Sequence, residues 1–308
     1  MIVRMLSIAG WLSMLLVAAT PAIAQQQNFD TVQIRPVRLA DRIYMLAGAG
    51  GNIGVSVGDS AVILVDDQYA PLTPKVLAAV RALTRLPIRF VLNTHWHGDH
   101  TGGNENMRGA GAFVVSHENV RKRMSTEQFI KLFGRRVPPS SPGALPVVTF
   151  SDAVNFHLDA EEIRAFHVRT AHTDGDAIVH FRTANVVHMG DTFFNGMYPF
   201  IDLDTGGSVD GMIAAADRVL GMIDRDTRVI PGHGPAGDRS ALRAYRDMLA
   251  GARERVMRHV AAGASLQRVL AAKPTAEYDS IWGKGFFKPD QFVEVLYTDL
   301  SRRKDANP

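Results

Sequence analysis

Hydrophobic residues in this sequence occur in short runs that polar, glycine-rich and proline-rich turns separate, a pattern typical of an α/β protein. Residues 61–65 are a continuous apolar run, which predicts a strand buried on both faces. Residues 88–92 are apolar except for Arg89 and predict a second buried strand. Residues 72–84 have apolar positions at helical spacing and begin with a Thr-Pro pair, which favours a helix start. Similar short runs predict further strands at residues 31–37, 43–46, 53–57, 112–116, 147–150, 154–158, 163–168, 177–181 and 186–189.

Helical spacing returns later in the chain, where residues 238–262 and 292–301 predict amphipathic helices. A short helix is expected at residues 104–108, and a helical stretch between the basic runs at 121–123 and 135–136. Runs of strands interrupted by helices favour two facing sheets with helices outside. The proline-rich loop at residues 138–143 is the expected boundary between the two halves.

The N-terminal segment has the pattern of a secretory signal peptide. Arg4 precedes an apolar stretch, and Ala22-Ile23-Ala24 forms a small-residue cleavage site. We therefore expect a signal peptide at residues 1–24 and one folded domain at 25–308, in a protein located in the periplasm or secreted. A retained membrane anchor is the alternative, although the apolar stretch is shorter than the roughly 20 residues that a spanning helix needs.

Composition narrows the kinds of partner that we expect. The 308 residues include no cysteine, which excludes disulfides, thiolate metal ligands and lipoprotein attachment. The net charge of +3 is too small to predict nucleic acid or an anionic membrane as a partner. We expect a small-molecule substrate, no nucleic acid, no stable membrane anchor, and a monomer or homodimer.

The densest set of metal-binding side chains follows the strand predicted at 88–92, in the sequence Thr-His-Trp-His-Gly-Asp-His-Thr-Gly-Gly at residues 94–103. His95 and His97 point to one side of an extended chain, because side chains alternate along it. Gly98 permits a turn that carries Asp99 and His100 toward a second point. Imidazole and carboxylate are zinc ligands, so this segment is predicted to supply two ligands to each of two neighbouring ions.

The pattern HxHxDH followed by Thr-Gly-Gly resembles the signature of the metallo-β-lactamase superfamily. The resemblance implies a four-layer αββα sandwich in the α/β class. It also implies further ligands, found here as His172 in Ala-His-Thr-Asp-Gly-Asp, Asp191 after Gly190, and His233 in Pro-Gly-His-Gly. By this resemblance the cofactor is two Zn²⁺ per chain, with Asp191 bridging them. The two implied ligand sets are His95, His97 and His172 for one ion, and Asp99, His100 and His233 for the other.

Other residues near these motifs are candidates for supporting roles. The resemblance implies that Asp66, at the end of the strand at 61–65, orients the metal loop, with its neighbour Asp67 as the alternative. Asp176 and His117 are further candidates for orienting the ligands. The substrate pocket is expected to be aromatic, and Tyr198 is a candidate oxyanion donor. The predicted pocket residues are Trp96, Phe193, Phe194 and Tyr198.

The predicted chemistry is hydrolysis by a metal-bridging hydroxide, with Asp99 and Asp191 as the catalytic carboxylates. The best-supported substrate is a small-molecule amide or ester, as in a β-lactamase. However, β-lactamases of this superfamily carry Cys or Ser where Asp191 stands. Asp191 is typical of relatives that act as lactonases, thioesterases or sulfatases, and these remain the alternatives.

Three other classes are compatible with the same motif. A di-iron oxidoreductase would usually carry an acid where His97 stands, together with a flavin domain. A nucleic-acid-processing enzyme would need a clamp domain and a basic groove. A non-catalytic metal-binding module would have to retain every ligand without activity.

Overall fold

Two β-sheets lie face to face in the computed structural model, which describes residues 28–158 and 161–306. The predicted signal peptide lies outside the described residues. In spatial order the first sheet contains β1 (Arg35–Ala40), β2 (Ile43–Ala47), β3 (Ile53–Val57), β4 (Val62–Val65), β5 (Ile88–Asn93), β6 (Phe113–His117) and β9 (Val148–Phe150). The second contains β10 (Ala153–Leu158), β11 (Glu161–His167), β12 (Ala177–Phe181), β13 (Val186–His188), β14 (Arg228–Ile230) and β15 (Gly237–Asp238).

Helices and a small hairpin complete the described architecture. The hairpin pairs β7 (Gln128–Ile130) with β8 (Arg135–Val137). The helices are α1 (Thr73–Leu83), α2 (Gly98–Thr101), α3 (Asn104–Gly109), α4 (Glu118–Met124), α5 (Val209–Met222), α6 (Arg239–Ala261), α7 (Leu266–Ala272), α8 (Ala276–Trp282) and α9 (Pro289–Ala306).

Three buried hydrophobic clusters define the layers. One lies between the sheets and joins residues such as Leu92 of β5 to Val179 of β12. A second packs α1 and α3 against the outer face of the first sheet, and the third packs α5, α6 and α9 against the second sheet. This arrangement confirms the predicted αββα sandwich. Burial of both sheet faces explains why the central strands have continuous apolar sequences.

Strand direction brings the candidate ligands to one edge of the sandwich. Strands β4, β5, β6 and β9 run parallel to one another, and β13 runs parallel to β14. The carboxyl ends of parallel neighbours meet at the same edge, where connecting loops can hold functional side chains. The loops that follow β5, β13 and β14 carry six of the seven predicted ligands.

The structure differs from the sequence predictions in four places. The first strand begins later than predicted, because carbonyl groups of residues 29, 30 and 32 accept hydrogen bonds from Lys75 Nζ instead of pairing in a sheet. The second sheet begins after residue 152, not at the loop 138–143. The stretch between the two basic runs contains a β-hairpin, which turns at Gly134 with a φ of 56°. Helix α5 has no counterpart among the predicted elements.

No helix in the described parts of the chain combines the length and apolar character needed to cross a bilayer.

His117 forms a stacked pair with His167 away from the candidate ligands, with ring centroids 3.8 Å apart and an interplanar angle of 11°. Burial lowers the pKa of both imidazoles, and the His167 ring lowers the pKa of His117 further. The charged groups that also act on this pair are Glu118, Asp152, Asp174 and Arg169. As the pH falls below about 6.5, the unfolded chain therefore takes up protons before the folded chain does. Stability should fall across this range.

His117→Gln should make the melting temperature less sensitive to pH between pH 7.5 and 5.5, because one of the stacked imidazoles is gone. Differential scanning calorimetry at the two pH values measures this. His157→Gln removes an exposed histidine from β10 and is the control. Equal pH sensitivity in His117→Gln and wild type would rule out the stacked pair as a source of acid lability.

Candidate metal centre

The structure brings the seven predicted ligands together at one edge of the sandwich. They form two groups, and within each group the candidate ligand atoms lie within 4.8 Å of one another. The first group is His95, His97, His172 and Asp191, and the second is Asp99, His100 and His233. The carboxylates and imidazoles come from both sheets, so the site forms only when the two halves of the sandwich pack.

The first group presents nitrogen lone pairs to one another. His97 Nε2 donates to Asp202 Oδ2 at 3.1 Å, and His172 Nδ1 donates to the Phe200 carbonyl at 2.9 Å. These partners only accept, so in the neutral form of each ring the opposite nitrogen carries no proton. In that form the two nitrogens would face each other at 2.9 Å without a proton to share. A cation between them resolves this conflict, so the donor set fits a bound metal.

Burial keeps two histidines of this first group neutral. It lowers the pKa of His95 well below its usual range and the pKa of His172 to about 4. Both rings are therefore neutral at pH 7, which is the protonation state that a metal ligand requires.

The second group combines imidazoles with carboxylates. His233 Nε2 lies 3.3 Å from Asp99 Oδ2 and 3.4 Å from Asp191 Oδ2. Burial opposes protonation of His233, but Asp191 and Asp99 raise its pKa to about 9. The carboxylates thus favour positive charge at this point, which protons or a divalent cation can supply.

Asp191 lies between the two groups. Its Oδ1 is 3.0 Å from His100 Nε2, and its Oδ2 is 3.5 Å from His172 Nε2. The buried Asp191 Oδ1 has no hydrogen-bond partner among the described residues. One carboxylate therefore faces ligand nitrogens of both groups, which is the position that a bridging ligand needs.

Asp66 and Asp176 hold parts of this site in place. Asp66 accepts hydrogen bonds from the Thr94 backbone N–H at 2.7 Å and from His100 Nδ1 at 2.8 Å. Asp176 Oδ2 accepts from the backbone N–H groups of His172 and Thr173, at 2.6 and 2.8 Å. Both carboxylates are where the sequence placed them. Asp67, the alternative to Asp66, instead accepts from the Gly103 backbone N–H at 2.9 Å.

The structure does not place His117 beside the ligands. Its Nε2 donates to the Ser151 carbonyl at 2.8 Å, and its Nδ1 accepts from the Asn119 N–H at the start of α4. These bonds and the His167 stack occupy the whole ring, so the predicted orienting role of His117 is wrong.

Two orienting residues were missed in the sequence. Asp202 binds His97, and Asn52 links the two halves by donating to the carbonyls of Pro231 and Gly234, each at 2.9 Å. Asp202 was hidden because it lies 105 positions from its partner. Asn52 is the last residue of the glycine-rich turn at residues 47–52. Backbone and side-chain hydrogen bonds hold Gly51 and Asn52 in this turn.

A cavity of about 500 Å³ opens onto the metal-binding groups. It is lined by the candidate ligands His97, Asp99, Asp191 and His233 and by aromatic, aliphatic and basic side chains. The lining side chains outside the ligand set include Tyr69, Trp96, Ile130, Phe133, Arg135, Val137, Phe200 and Phe286. Apart from the ligands, Tyr69 and Arg135, the side chains that line the cavity are apolar.

Three of the four predicted pocket residues do not line this cavity. Trp96 does, but Phe193, Phe194 and Tyr198 are fully buried. Phe194 stacks behind His233 at a centroid distance of 5.2 Å. Tyr198 donates its hydroxyl to Asp279 Oδ1 at 2.7 Å, so it is not available as an oxyanion donor. The segment after Asp191 turns inward beneath the site, and Phe200 is its first aromatic residue to reach the cavity.

Asp66→Asn should weaken metal binding at the second group. An asparagine amide can still accept from Thr94, but its NH₂ would then face the proton on His100 Nδ1. Moving that proton to Nε2 would block the nitrogen that faces Asp191. We expect affinity for the second equivalent of zinc to fall about 10–100-fold. Zinc titration against a chromogenic chelator measures this.

The control for Asp66→Asn is Asp224→Asn, an exposed carboxylate that accepts hydrogen bonds only in a surface turn. Unchanged affinity for both equivalents of zinc in Asp66→Asn would show that His100 does not need this carboxylate.

The chain is similar in sequence to several curated proteins. The α subunit of 2,4-dinitroanisole O-demethylase from Nocardioides sp. (strain JS1661) is 27% identical over 180 residues, 57% of this chain and 50% of the relative. Hydroxyacylglutathione hydrolase from Polaromonas sp. (strain JS666 / ATCC BAA-500) is 28% identical over 167 residues, 53% of this chain and 55% of the relative. The chain thus spans about half the length of these curated relatives.

Solved structures share the fold. A metallo-β-lactamase from Pontibacter korlensis superposes with a TM-score of 0.58 at 18% identity, covering 71% of this chain and 99% of the other. The metallo-β-lactamase DIM-1 gives the same TM-score at 15% identity, covering 71% of this chain and 98% of the other. The sequence profile of the metallo-β-lactamase superfamily matches residues 48–251, which include all seven clustered ligands. With its fold, its ligand order and this match in agreement, the chain belongs to the metallo-β-lactamase superfamily.

Proposed function

We propose that this protein is a dinuclear zinc hydrolase that cleaves an acyl bond of a small molecule. The observation that carries the proposal is the pair of ligand groups with Asp191 between them. His95, His97 and His172 would hold one ion, Asp99, His100 and His233 the other, and Asp191 both. Two bound zinc ions supply an activated water nucleophile at neutral pH and polarise the bond under attack.

The residues of the chain would position the reactants and handle protons. Asp99 lines the cavity with one carboxylate oxygen 3.3 Å from His233 Nε2, so it can orient a water and accept its proton. Trp96, Phe133 and Phe200 give the cavity apolar walls beside the ligands. Apolar walls lower the local dielectric constant, which strengthens electrostatic stabilisation of a developing negative charge.

A β-lactam or a related amide or ester is the leading substrate class. The depth of the cavity and its aromatic lining suit a compact, partly apolar molecule. Thioesters are the second candidate, because Asp191 occupies the position that Cys or Ser has in β-lactamases, and a curated relative is a hydroxyacylglutathione hydrolase. Lactones and sulfate esters fit the same ligand set.

We also propose that the protein is exported and acts in the periplasm or outside the cell as a monomer or homodimer. The support is the signal-peptide pattern of residues 1–24 and the complete absence of cysteine. An exported single-domain hydrolase matches a β-lactamase better than a glutathione thioesterase, which works in the cytosol.

The test is a side-by-side measurement of kcat/KM for a chromogenic cephalosporin, a lactone and a thioester, with zinc content determined on the same sample. A value above about 10⁴ M⁻¹s⁻¹ for the cephalosporin alone would establish a β-lactamase. A fast thioester or lactone beside a slow cephalosporin would favour the second candidates. A zinc-loaded protein that hydrolyses none of them, nor a sulfate ester, would contradict the hydrolase proposal.

A further inference from the structure

The hairpin of β7 and β8 presents one arginine to the cavity. Side chains alternate along each strand, so Arg135 and Val137 face one side and Arg136 the other. Arg135 is paired across the hairpin with Ile130, and both line the cavity. On the outer side, Arg136 lies over the Phe129 ring at 5.2 Å. The inner face is otherwise apolar, which makes the position of Arg135 unusual.

Arg135 is also unpaired, unlike its basic neighbours. Arg136 forms an ion pair with Glu127 at 2.7 Å, and Arg123 forms one with Asp174 at 2.7 Å. The Arg135 guanidinium makes no hydrogen bond or ion pair with any side chain in residues 28–158 or 161–306. Apart from the ligand histidines, it is the one basic side chain among those that line the cavity. Its five N–H groups are therefore free for a molecule that enters.

A second free donor lies beside it. Tyr69 lines the same cavity, and its hydroxyl has no hydrogen-bond partner among the described residues. Burial and the nearby Asp99 raise the pKa of Tyr69 to about 12, while the charge of Arg135 acts against this rise. The hydroxyl is thus protonated at neutral pH and close enough to Arg135 to feel its charge. The cavity therefore contains the N–H groups of Arg135 and the O–H of Tyr69, and no described protein atom accepts a hydrogen bond from either.

The hairpin that carries Arg135 is attached to the metal site. The Lys131 backbone N–H donates to Asp204 Oδ2 at 2.8 Å, and the Lys131 ammonium lies 3.4 Å from Asp204 Oδ1. Asp204 follows Asp202, whose carboxylate orients His97. The backbone position of Arg135 relative to the metal-binding groups is therefore set by the fold. An arginine on a backbone held in this way can favour one substrate orientation.

We infer that Arg135, with Tyr69, binds a carboxylate group of the substrate and so selects anionic substrates for the metal centre. The inference rests on the proposed function and adds the substrate class. The carboxylate lies at the hairpin end of the cavity, the scissile bond lies at the ligand end, and the apolar remainder packs against Phe133 and Phe286. A planar guanidinium binds a carboxylate through two parallel hydrogen bonds, which gives orientation as well as affinity.

Binding of a simple probe tests the inference without catalysis. The dissociation constant of 3-phenylpropionate is measured by calorimetric titration of the zinc-loaded full chain, and compared with that of the neutral 3-phenylpropanamide. Arg135→Gln should weaken propionate binding about tenfold, the loss expected for a charge-assisted hydrogen bond, and leave amide binding unchanged. Arg136→Gln is the matched control, since it removes an adjacent arginine from the outer face.

Unchanged propionate affinity in Arg135→Gln, an equal loss in Arg136→Gln, or no propionate binding to wild type would each overturn the inference. If zinc alone coordinated the carboxylate, propionate affinity would be unchanged in Arg135→Gln. Failure of the proposed function would give a different result: the wild-type chain would bind no zinc or would hydrolyse no acyl substrate. With a carboxylate-bearing substrate, Arg135→Gln should raise KM with little change in kcat, because it removes binding and not proton transfer.

Discussion

Asp191→Asn should reduce the zinc content from about two ions to about one per chain, because a neutral amide cannot bridge two cations. The asparagine keeps the size of the side chain but removes the charge that both ligand groups face. Hydrolysis should fall by more than about 100-fold, since loss of an outer hydrogen-bond partner alone costs about 10–100-fold. Elemental analysis after gel filtration and initial-rate kinetics measure the two effects.

His233→Ala should give the same zinc stoichiometry by removing a ligand of the second group alone. Asp226→Asn, which changes a carboxylate that is 77% exposed, is the control for the loss of one charge. Two zinc ions per chain in both Asp191→Asn and His233→Ala would refute the ligand assignment.

Gly51→Ala should disrupt the second ligand group although residue 51 contributes no ligand. A Cβ on Gly51 would overlap three atoms of the His100 ring. The ring cannot move aside because Asp66 holds its Nδ1, and the backbone is held by Gln68 Nε2, which donates to the Gly51 carbonyl at 2.7 Å. Overpacking of this kind costs about 1–3 kcal/mol. We expect a lower melting temperature and about one zinc per chain.

Gly98→Ala provides the comparison for Gly51→Ala, because it adds the same methyl group within the ligand loop where no atom lies within 4 Å. Its melting temperature and zinc content should match those of wild type. If Gly51→Ala also binds two zinc ions and has the melting temperature of wild type, the close packing of Gly51 against His100 matters neither for metal binding nor for stability.

The clustering of the candidate ligands could be predicted because each belongs to a short motif at the end of an apolar run, and the family resemblance gave the order of the motifs. His95 and His97 follow β5, and Asp191 follows β13, so local spacing carried the information. The αββα architecture was predictable for a similar reason, since strands buried on both faces have continuous apolar sequences. Both features depend on residues that are close together in the chain, so they can be recognised in a single sequence.

The pocket could not be predicted in this way, because it depends on contacts between distant segments. Phe193 and Phe286 are both aromatic residues in aromatic stretches, yet the first is in the core and the second is 58% exposed at the cavity. Tyr69 and Arg135 reach the cavity from segments that carry no motif. The hairpin around Arg135 was mistaken for a helical stretch because its strands are only three residues long. Strands this short give too few alternations for a periodicity to be recognised.

The origin of the ligands in both sheets has a consequence for how this protein would resist unfolding. His97 and His172 are 75 positions apart in the chain, and His100 and His233 are 133 positions apart. Bound zinc would therefore act as a pair of long-range cross-links in a chain that has no cysteine to form covalent ones. Such links lower the entropy of the unfolded chain most when the loops they close are long. Unlike a disulfide, they would be opened by a chelator and not by a reductant, so metal supply would set the lifetime of the fold.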